Sequence, residues 1–172
     1  MSSKTEVTKI ISVSTPFLLG FACGLHEGAS LGAPENICEP FIHLFTKILF
    51  MNSLLTLKII LSSMLFWIPV PYYLFAIGYI YGSIISLGSL ISDPIYIPAI
   101  FSYSIFEISG YLVASYVSLD LAISFYRFIR RDYISYLHTG YCRNFIIIIV
   151  SFTLILIGAL IESALIGLRC SS

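Results

Sequence analysis

The stretch from Tyr72 to Ile91 contains no charged residue, and this feature most constrains how the chain can fold. A helix of about 20 apolar residues crosses a hydrocarbon core that is about 30 Å thick. Pro71 precedes the stretch and Asp93-Pro94 follows it, so the segment predicts one complete membrane crossing. The whole chain agrees: 58% of its 172 residues are hydrophobic and 10% are charged, whereas soluble domains carry about 25% charged residues.

The same test predicts five crossings, and therefore an all-α membrane bundle that forms a single domain. The predicted spans cover residues 10–32, 44–67, 72–91, 97–119 and 144–168. Asn52 and Lys58 interrupt the second span, which leaves two alternatives. It is one tilted helix, or residues 41–51 lie in the membrane interface and the crossing begins near Asn52. Residues 120–143 are predicted to form an amphipathic loop.

The distribution of Lys and Arg predicts the orientation. Five crossings put the chain ends on opposite sides of the membrane, and loops rich in Lys and Arg stay in the cytoplasm. The 120–143 loop shares a side with the N-terminus and contains Arg127, Arg130, Arg131 and Arg143. We therefore expect a multi-pass protein of the cell membrane with its N-terminus in the cytoplasm and its C-terminus outside. The arginines alternate with aromatic residues, which suits binding to the inner leaflet or docking of a cytoplasmic partner.

Glycines recur at every fourth position of the first span and, more briefly, in the third. They are Gly20, Gly24, Gly28 and Gly32, and Gly78 and Gly82. Small residues at this spacing let the backbones of two membrane helices approach closely. Two interpretations stay open: these faces pack within the chain, or one of them binds another membrane subunit or a second copy.

Ionisable residues at membrane depth form a second pattern. Glu107 lies near the middle of the fourth span, and Glu162 lies near the outer end of the fifth. A carboxylate in hydrocarbon needs a proton, a partner or water. Lys58 is the predicted partner of Glu107, and His26 and Glu27 add two titratable groups near the outer end of the first span. Such a network can hold the helices together, or it can form a path for protons or cations.

The predicted topology divides the cysteines between the two sides of the membrane. Cys38 in the first outer loop and Cys170 after the fifth span share the outer, oxidising side. They can form a disulfide bond there, or they can stay free thiols.

Several function classes lack support in the sequence. Nine Lys and Arg balance nine Asp and Glu, so there is no basic excess for binding nucleic acid. The sequence has no zinc-protease helix, no serine nucleophile elbow and no Cys-x-x-Cys pair. The chain is therefore interpreted as non-enzymatic, without a cofactor or a metal.

The segments around the two glutamates resemble a known family. Residues Ile105 to Ile108 and Leu156 to Ala164 are similar to the two glutamate-bearing helices of the stage II sporulation protein M family. Asn52 resembles the asparagine that opens the second crossing of that family, and Ala76 to Gly82 resembles its third helix. Where the family usually has His-Gly before the first glutamate, this chain has Tyr103-Ser104.

The resemblance implies five crossings and a membrane scaffold that assembles with itself or with other membrane proteins. In spore-forming bacteria the family gathers partners that degrade the cell wall, and related five-helix proteins occur in organisms without spores, including archaea. The alternative is a permease or ion-coupled transport subunit that uses the intramembrane glutamates. The expected partners are the lipid bilayer, other membrane subunits or a second copy, and a cytoplasmic protein at the 120–143 loop.

Overall fold

A computed structural model of the chain describes residues 3–27, 39–65, 67–90, 96–129 and 137–170. Within these ranges the chain forms five α-helices and no strand. The helices are α1 (Ser3–Glu27), α2 (Phe41–Leu61), α3 (Val70–Leu90), α4 (Tyr96–Ile129) and α5 (Leu137–Cys170). Each contains a segment that is long and apolar enough to cross a membrane. The predicted class, an all-α membrane bundle with five crossings, is confirmed.

Helices α2, α4 and α5 extend beyond their predicted spans. The second crossing is one continuous helix from Phe41 to Leu61, and the two alternatives for its place in the membrane stay predictions. Helix α4 continues to Ile129 instead of ending at residue 119, and α5 begins at Leu137. The segment 120–129 contains no Pro or Gly to end the helix. Most of the predicted 120–143 loop is therefore helical, and residues 130–136 lie outside the described ranges.

Helices α1 and α3 contact each other backbone to backbone through their glycines. A Cβ atom added at any of four glycines would overlap a carbonyl oxygen of the facing helix. The contacts are those of Gly20 with Phe75, Gly24 with Tyr79, Gly78 with Phe17 and Gly82 with Phe21. Residue numbers rise together along the two helices, so α1 and α3 run parallel. Because glycine has no side chain, dispersion and Cα–H···O contacts can hold the two helices together. In lipid the hydrophobic effect does not drive this association.

Helices α4 and α5 form a second close pair, and they run antiparallel. The Ser151 hydroxyl of α5 donates a hydrogen bond of 2.8 Å to the carbonyl oxygen of Gly110 in α4. A Cβ atom at Gly110 would lie 2.9 Å from the side chain of Ile155. One turn further along, Gly158 of α5 lies against the side chain of Glu107. The two glutamate-bearing helices are thus held at short range next to Glu107.

The turn between α2 and α3 is fixed by a tryptophan. After a short 3₁₀ segment, Ser62–Leu65, the N–H of Trp67 donates a hydrogen bond of 3.0 Å to the carbonyl of Ser62. Trp67 has φ 67°, a left-handed conformation that L residues other than Asn and Asp rarely adopt. Its indole N–H donates to the backbone carbonyl of Ser115 in α4, 3.3 Å away. This bond ties the α2–α3 turn to α4.

The core of the bundle is small, and its outer surface is apolar. Ile59, Val70, Leu74 and Ile155 are fully buried between the helices. Large apolar side chains are exposed along all five helices. This is the reverse of a soluble protein and suits a bundle surrounded by lipid, in which every helix satisfies its own backbone.

Candidate functional site

The candidate site is a group of polar side chains around Glu107, which is 3% exposed. The amide nitrogen of Asn52 in α2 donates a hydrogen bond of 2.5 Å to Oε1 of Glu107. The hydroxyl of Tyr81 in α3 donates to Oε2. Tyr81 is itself buried, at 7% exposed. Each oxygen of the carboxyl group therefore has a donor, and the two donors come from different helices.

Glu162 of α5 completes the group. Its carboxyl group lies next to that of Glu107. Glu162 is only partly buried, whereas Glu107 is enclosed. The site is thus a pair of neighbouring acids that, with the donors Asn52 and Tyr81, joins α2, α3, α4 and α5.

Small residues create the space for this pair. A Cβ atom at Gly158 would lie 2.5 Å from Cγ of Glu107, so any larger residue there would displace the glutamate. Glu162 follows Gly158 by four positions on α5, which puts both residues on the same helix face. The sequence Gly158-Ala-Leu-Ile-Glu162 therefore provides both the gap that holds Glu107 and the acid that binds it.

A second polar cluster joins α1, α4 and α5 at the other end of the bundle. Lys9 and Asp120 form an ion pair in which the side chains are 4% and 3% exposed. Arg143 at the start of α5 pairs with the second oxygen of Asp120. Lys9 also lies 3.3 Å from Glu6, which accepts a hydrogen bond from the Tyr116 hydroxyl. Two cations thus neutralise a buried aspartate that α4 carries.

The predicted pairing of Lys58 with the intramembrane glutamates is wrong. Glu107 contacts Asn52, Tyr81 and Glu162 instead, and the Lys58 side chain is exposed on α2. Asn52 and Lys58 are six positions apart, which is about 1.7 helical turns. Their side chains therefore leave α2 on different faces, and only that of Asn52 points towards α4.

His26 and Glu27 do not join the glutamate pair. Both are exposed at the end of α1. The Tyr79 hydroxyl of α3 donates a hydrogen bond of 3.1 Å to Glu27. This contact continues the α1–α3 packing beyond Gly24. Of the five residues predicted as an intramembrane network, the structure brings together Glu107 and Glu162.

Several predicted residues lie outside the described parts of the chain. These are Gly28, Gly32, Cys38, Arg130 and Arg131, together with the side chains of Arg127 and Cys170. The disulfide between Cys38 and Cys170 and the role of the arginine segment as a partner surface stay predictions. Arg143 is described, and it binds Asp120 rather than projecting free.

Sequence reasoning missed several members of these clusters, among them Tyr81, Lys9 and Asp120. Tyr81 was one of many tyrosines, and nothing in its local sequence separates it from those that line a membrane interface. Lys9 and Asp120 lie near the ends of apolar runs, where charged residues are ordinary. Asn52 was the available signal, because an amide inside an apolar helix has to find a partner.

Glu39, which precedes α2, shows how different a carboxylate outside the crossings is. The hydrogen bond from His43, 2.7 Å long, and that from Lys47, 3.3 Å long, lower the pKa of Glu39 below its ordinary value. Glu39 is therefore a charged group at neutral pH. It lies next to the N-terminal end of α2, where a negative charge is favourable.

A family comparison agrees with this architecture. The family model described as "SpoIIM: Stage II sporulation protein M" matches residues 12–165, a range that includes both glutamates, Asn52 and the paired glycines. Searches of curated proteins and of solved structures found no match. The matched family is not a known enzyme family. Since the match covers most of the five crossings, the chain is a multi-pass membrane protein that belongs to the stage II sporulation protein M family.

Proposed function

We propose that the protein is a non-enzymatic subunit or scaffold of the cell membrane that assembles with itself or with other membrane proteins. The observation that carries the proposal is the internal satisfaction of Glu107. Its donors, Asn52 and Tyr81, and its acidic partner, Glu162, all belong to this chain and come from three further helices. A carboxyl group enclosed in this way holds these four helices in one arrangement.

The packing of the glycines supports the same proposal. Gly20, Gly24, Gly78 and Gly82 are used within the chain, between α1 and α3. A bundle in which these four glycines already face a neighbouring helix offers its remaining apolar surface to lipid and to other membrane proteins. Of the two interpretations of these glycines, packing within the chain therefore fits their placement, and partners would bind elsewhere.

The test is the oligomeric state and composition of the protein after extraction in a mild detergent. We expect a complex larger than one chain by size-exclusion chromatography with light scattering, with one set of crosslinked partners in the native membrane. The matched variants are Glu107→Leu, which removes the acceptor of the Asn52 and Tyr81 hydrogen bonds, and Gly167→Ala, where an added Cβ meets nothing within 4 Å. A purely monomeric wild-type protein without crosslinked partners would contradict the proposal.

A second candidate, a transport subunit, is favoured by one observation. The carboxyl groups of Glu107 and Glu162 are neighbours within two membrane-spanning helices, and acids at membrane depth are typical of proton relays. Proton movement through this pair would make wild-type proteoliposomes dissipate a pH gradient, while Glu162→Gln would abolish the flux. The scaffold proposal expects no flux from either protein and unchanged assembly of Glu162→Gln.

A further inference from the structure

Lys58 is a lysine of α2 that does not contact the Glu107–Glu162 pair. Four Lys and Arg side chains are described in structural detail. Lys9, Lys47 and Arg143 each form an ion pair with a carboxylate. Lys58 forms none among the described residues, although it lies within the membrane-spanning segment Phe41–Leu65.

The surroundings of Lys58 are apolar and open. Leu54 and Leu61, one turn away on either side, are 37% and 52% exposed, and the preceding Leu57 is 43% exposed. An ammonium group on such a surface is costly in hydrocarbon unless its stem lies along the apolar surface and its charge reaches the interface or an anion. The described residues provide this apolar surface, and none of their carboxylates pairs with Lys58.

The position of Lys58 along α2 shows which interface it can reach. It precedes Leu65 by seven residues, which is about 10 Å along the helix. Trp67, Tyr72 and Tyr73 follow in the α2–α3 turn and the first turn of α3, and Tyr72 is 72% exposed. Clustered Trp and Tyr are typical of the headgroup level of a membrane. A lysine a few residues deeper can meet a lipid phosphate from below.

We propose that Lys58 and the exposed leucines beside it form a binding site for one anionic phospholipid. The ammonium group binds the headgroup phosphate, and the acyl chains lie along Leu54, Leu57 and Leu61. The lipid belongs to the leaflet at which α2 ends, on the same end of the bundle as the Lys9–Asp120 ion pair. This site lies on a different face of α2 from Asn52 and is independent of the scaffold proposal.

The experiment compares lipid retention in variants of the full chain. The protein is reconstituted with phosphatidylglycerol and phosphatidylcholine in equal amounts, extracted in detergent and examined by native mass spectrometry. Wild type should retain one phosphatidylglycerol in preference to phosphatidylcholine. Lys58→Leu should lower this retention about fivefold, the effect of a single lysine near a charged headgroup. Lys58→Arg should retain the lipid.

Lys47→Leu is the matched control, because Lys47 is an exposed lysine of the same helix that already pairs with Glu39. It should behave like wild type. Equal retention by Lys58→Leu and wild type would overturn the site, and so would equal binding of the two lipids. A membrane protein that copurifies with wild type but not with Lys58→Leu, without preferential lipid retention, would instead assign Lys58 to a partner's carboxylate and also overturn it.

Discussion

At the scale of single residues, the molecule is notable for how it treats a buried acid. Glu107 accepts hydrogen bonds from an amide in α2 and from a phenol in α3, and a second acid, Glu162 of α5, lies beside it. A donor that loses its acceptor in a low-dielectric environment costs more than the original bond contributed. The free energy of the bundle therefore depends more on Glu107 than on any exposed charge.

Replacing Glu107 by Leu should destabilise the protein strongly. The change removes the acceptor of both Asn52 and Tyr81, and each unsatisfied buried donor costs about 1–3 kcal/mol. Glu107→Gln keeps one acceptor oxygen and should cost less. Thermal unfolding in detergent is monitored as the loss of the monodisperse peak. The thermal stability should fall from wild type to Glu107→Gln and further to Glu107→Leu. A Leu variant as stable as wild type would mean that Glu107 is not enclosed in the membrane.

The sequence predicts the position of Glu107 better than its partners. A carboxylate inside a long apolar run stands out, so Glu107 and Glu162 could be selected without a structure. Lys58 was predicted to pair with Glu107 on depth alone, but a pairing also depends on which face of the helix each side chain occupies. Tyr81 could not be selected, because its role follows from the packing of α3 on α4.

At the scale of elements, two close helix pairs organise the bundle. Helices α1 and α3 meet along glycines, and α4 and α5 meet where Gly110 and Gly158 admit neighbouring side chains. The glycine spacing predicts close approach from sequence alone. The spacing does not show which helix is the partner, because any helix of suitable direction could fit. The end of α4 was also not predicted from the local sequence.

Gly24→Ala should disturb the α1–α3 pair. The added Cβ would overlap the backbone carbonyl of Tyr79 and lie 2.9 Å from the backbone nitrogen of Ser83. A backbone cannot move aside as a side chain can, so overpacking should cost about 1–3 kcal/mol. Gly167→Ala, with open space around its Cβ, is the control and should leave thermal stability unchanged or raised. Equal stability of the two variants would refute the close contact.

At the scale of the whole molecule, two polar clusters act at different depths. Glu107 and Asp120 are 13 positions apart on α4, which is about 20 Å along the helix. The first cluster, around Glu107, joins α2, α3, α4 and α5. The second, around Asp120, joins α1, α4 and α5. Helix α4 carries an acid in each cluster, so it serves as the common element to which the other four are attached.

Asp120→Asn should release α1 from this arrangement. The substitution removes the charge that Lys9 and Arg143 share, and it leaves Lys9 buried with only the partly exposed Glu6 as a counter-ion. Breaking a buried pair by removing one partner typically costs about 3–5 kcal/mol. Hydrogen exchange should increase at the start of α1 more than around Glu107. If hydrogen exchange increased equally along all helices, the two clusters would not stabilise separate parts of the bundle.

The orientation of the bundle is a prediction that labelling can test. Cys142 is exposed at the end of the bundle that the Lys and Arg distribution assigns to the cytoplasm. A variant that keeps only Cys142 should react with a membrane-impermeant maleimide after cell lysis and not in intact cells. A variant that keeps only Cys38 should react in intact cells. The opposite pattern would invert the predicted topology.

The parallel pairing of α1 with α3 has a consequence for how the protein is made. The ribosome delivers α1 and α2 before α3 exists, and within the described residues α1 packs mainly on α3 rather than on α2. The nascent chain therefore holds a bare glycine face towards lipid or the insertion machinery until the third crossing arrives. Arrested chains that end before α3 should crosslink from Gly20→Cys to the translocon, and chains that include α3 should crosslink to α3 instead. Insertion of the third crossing, rather than the second, would then be the step that commits the nascent protein to its final arrangement.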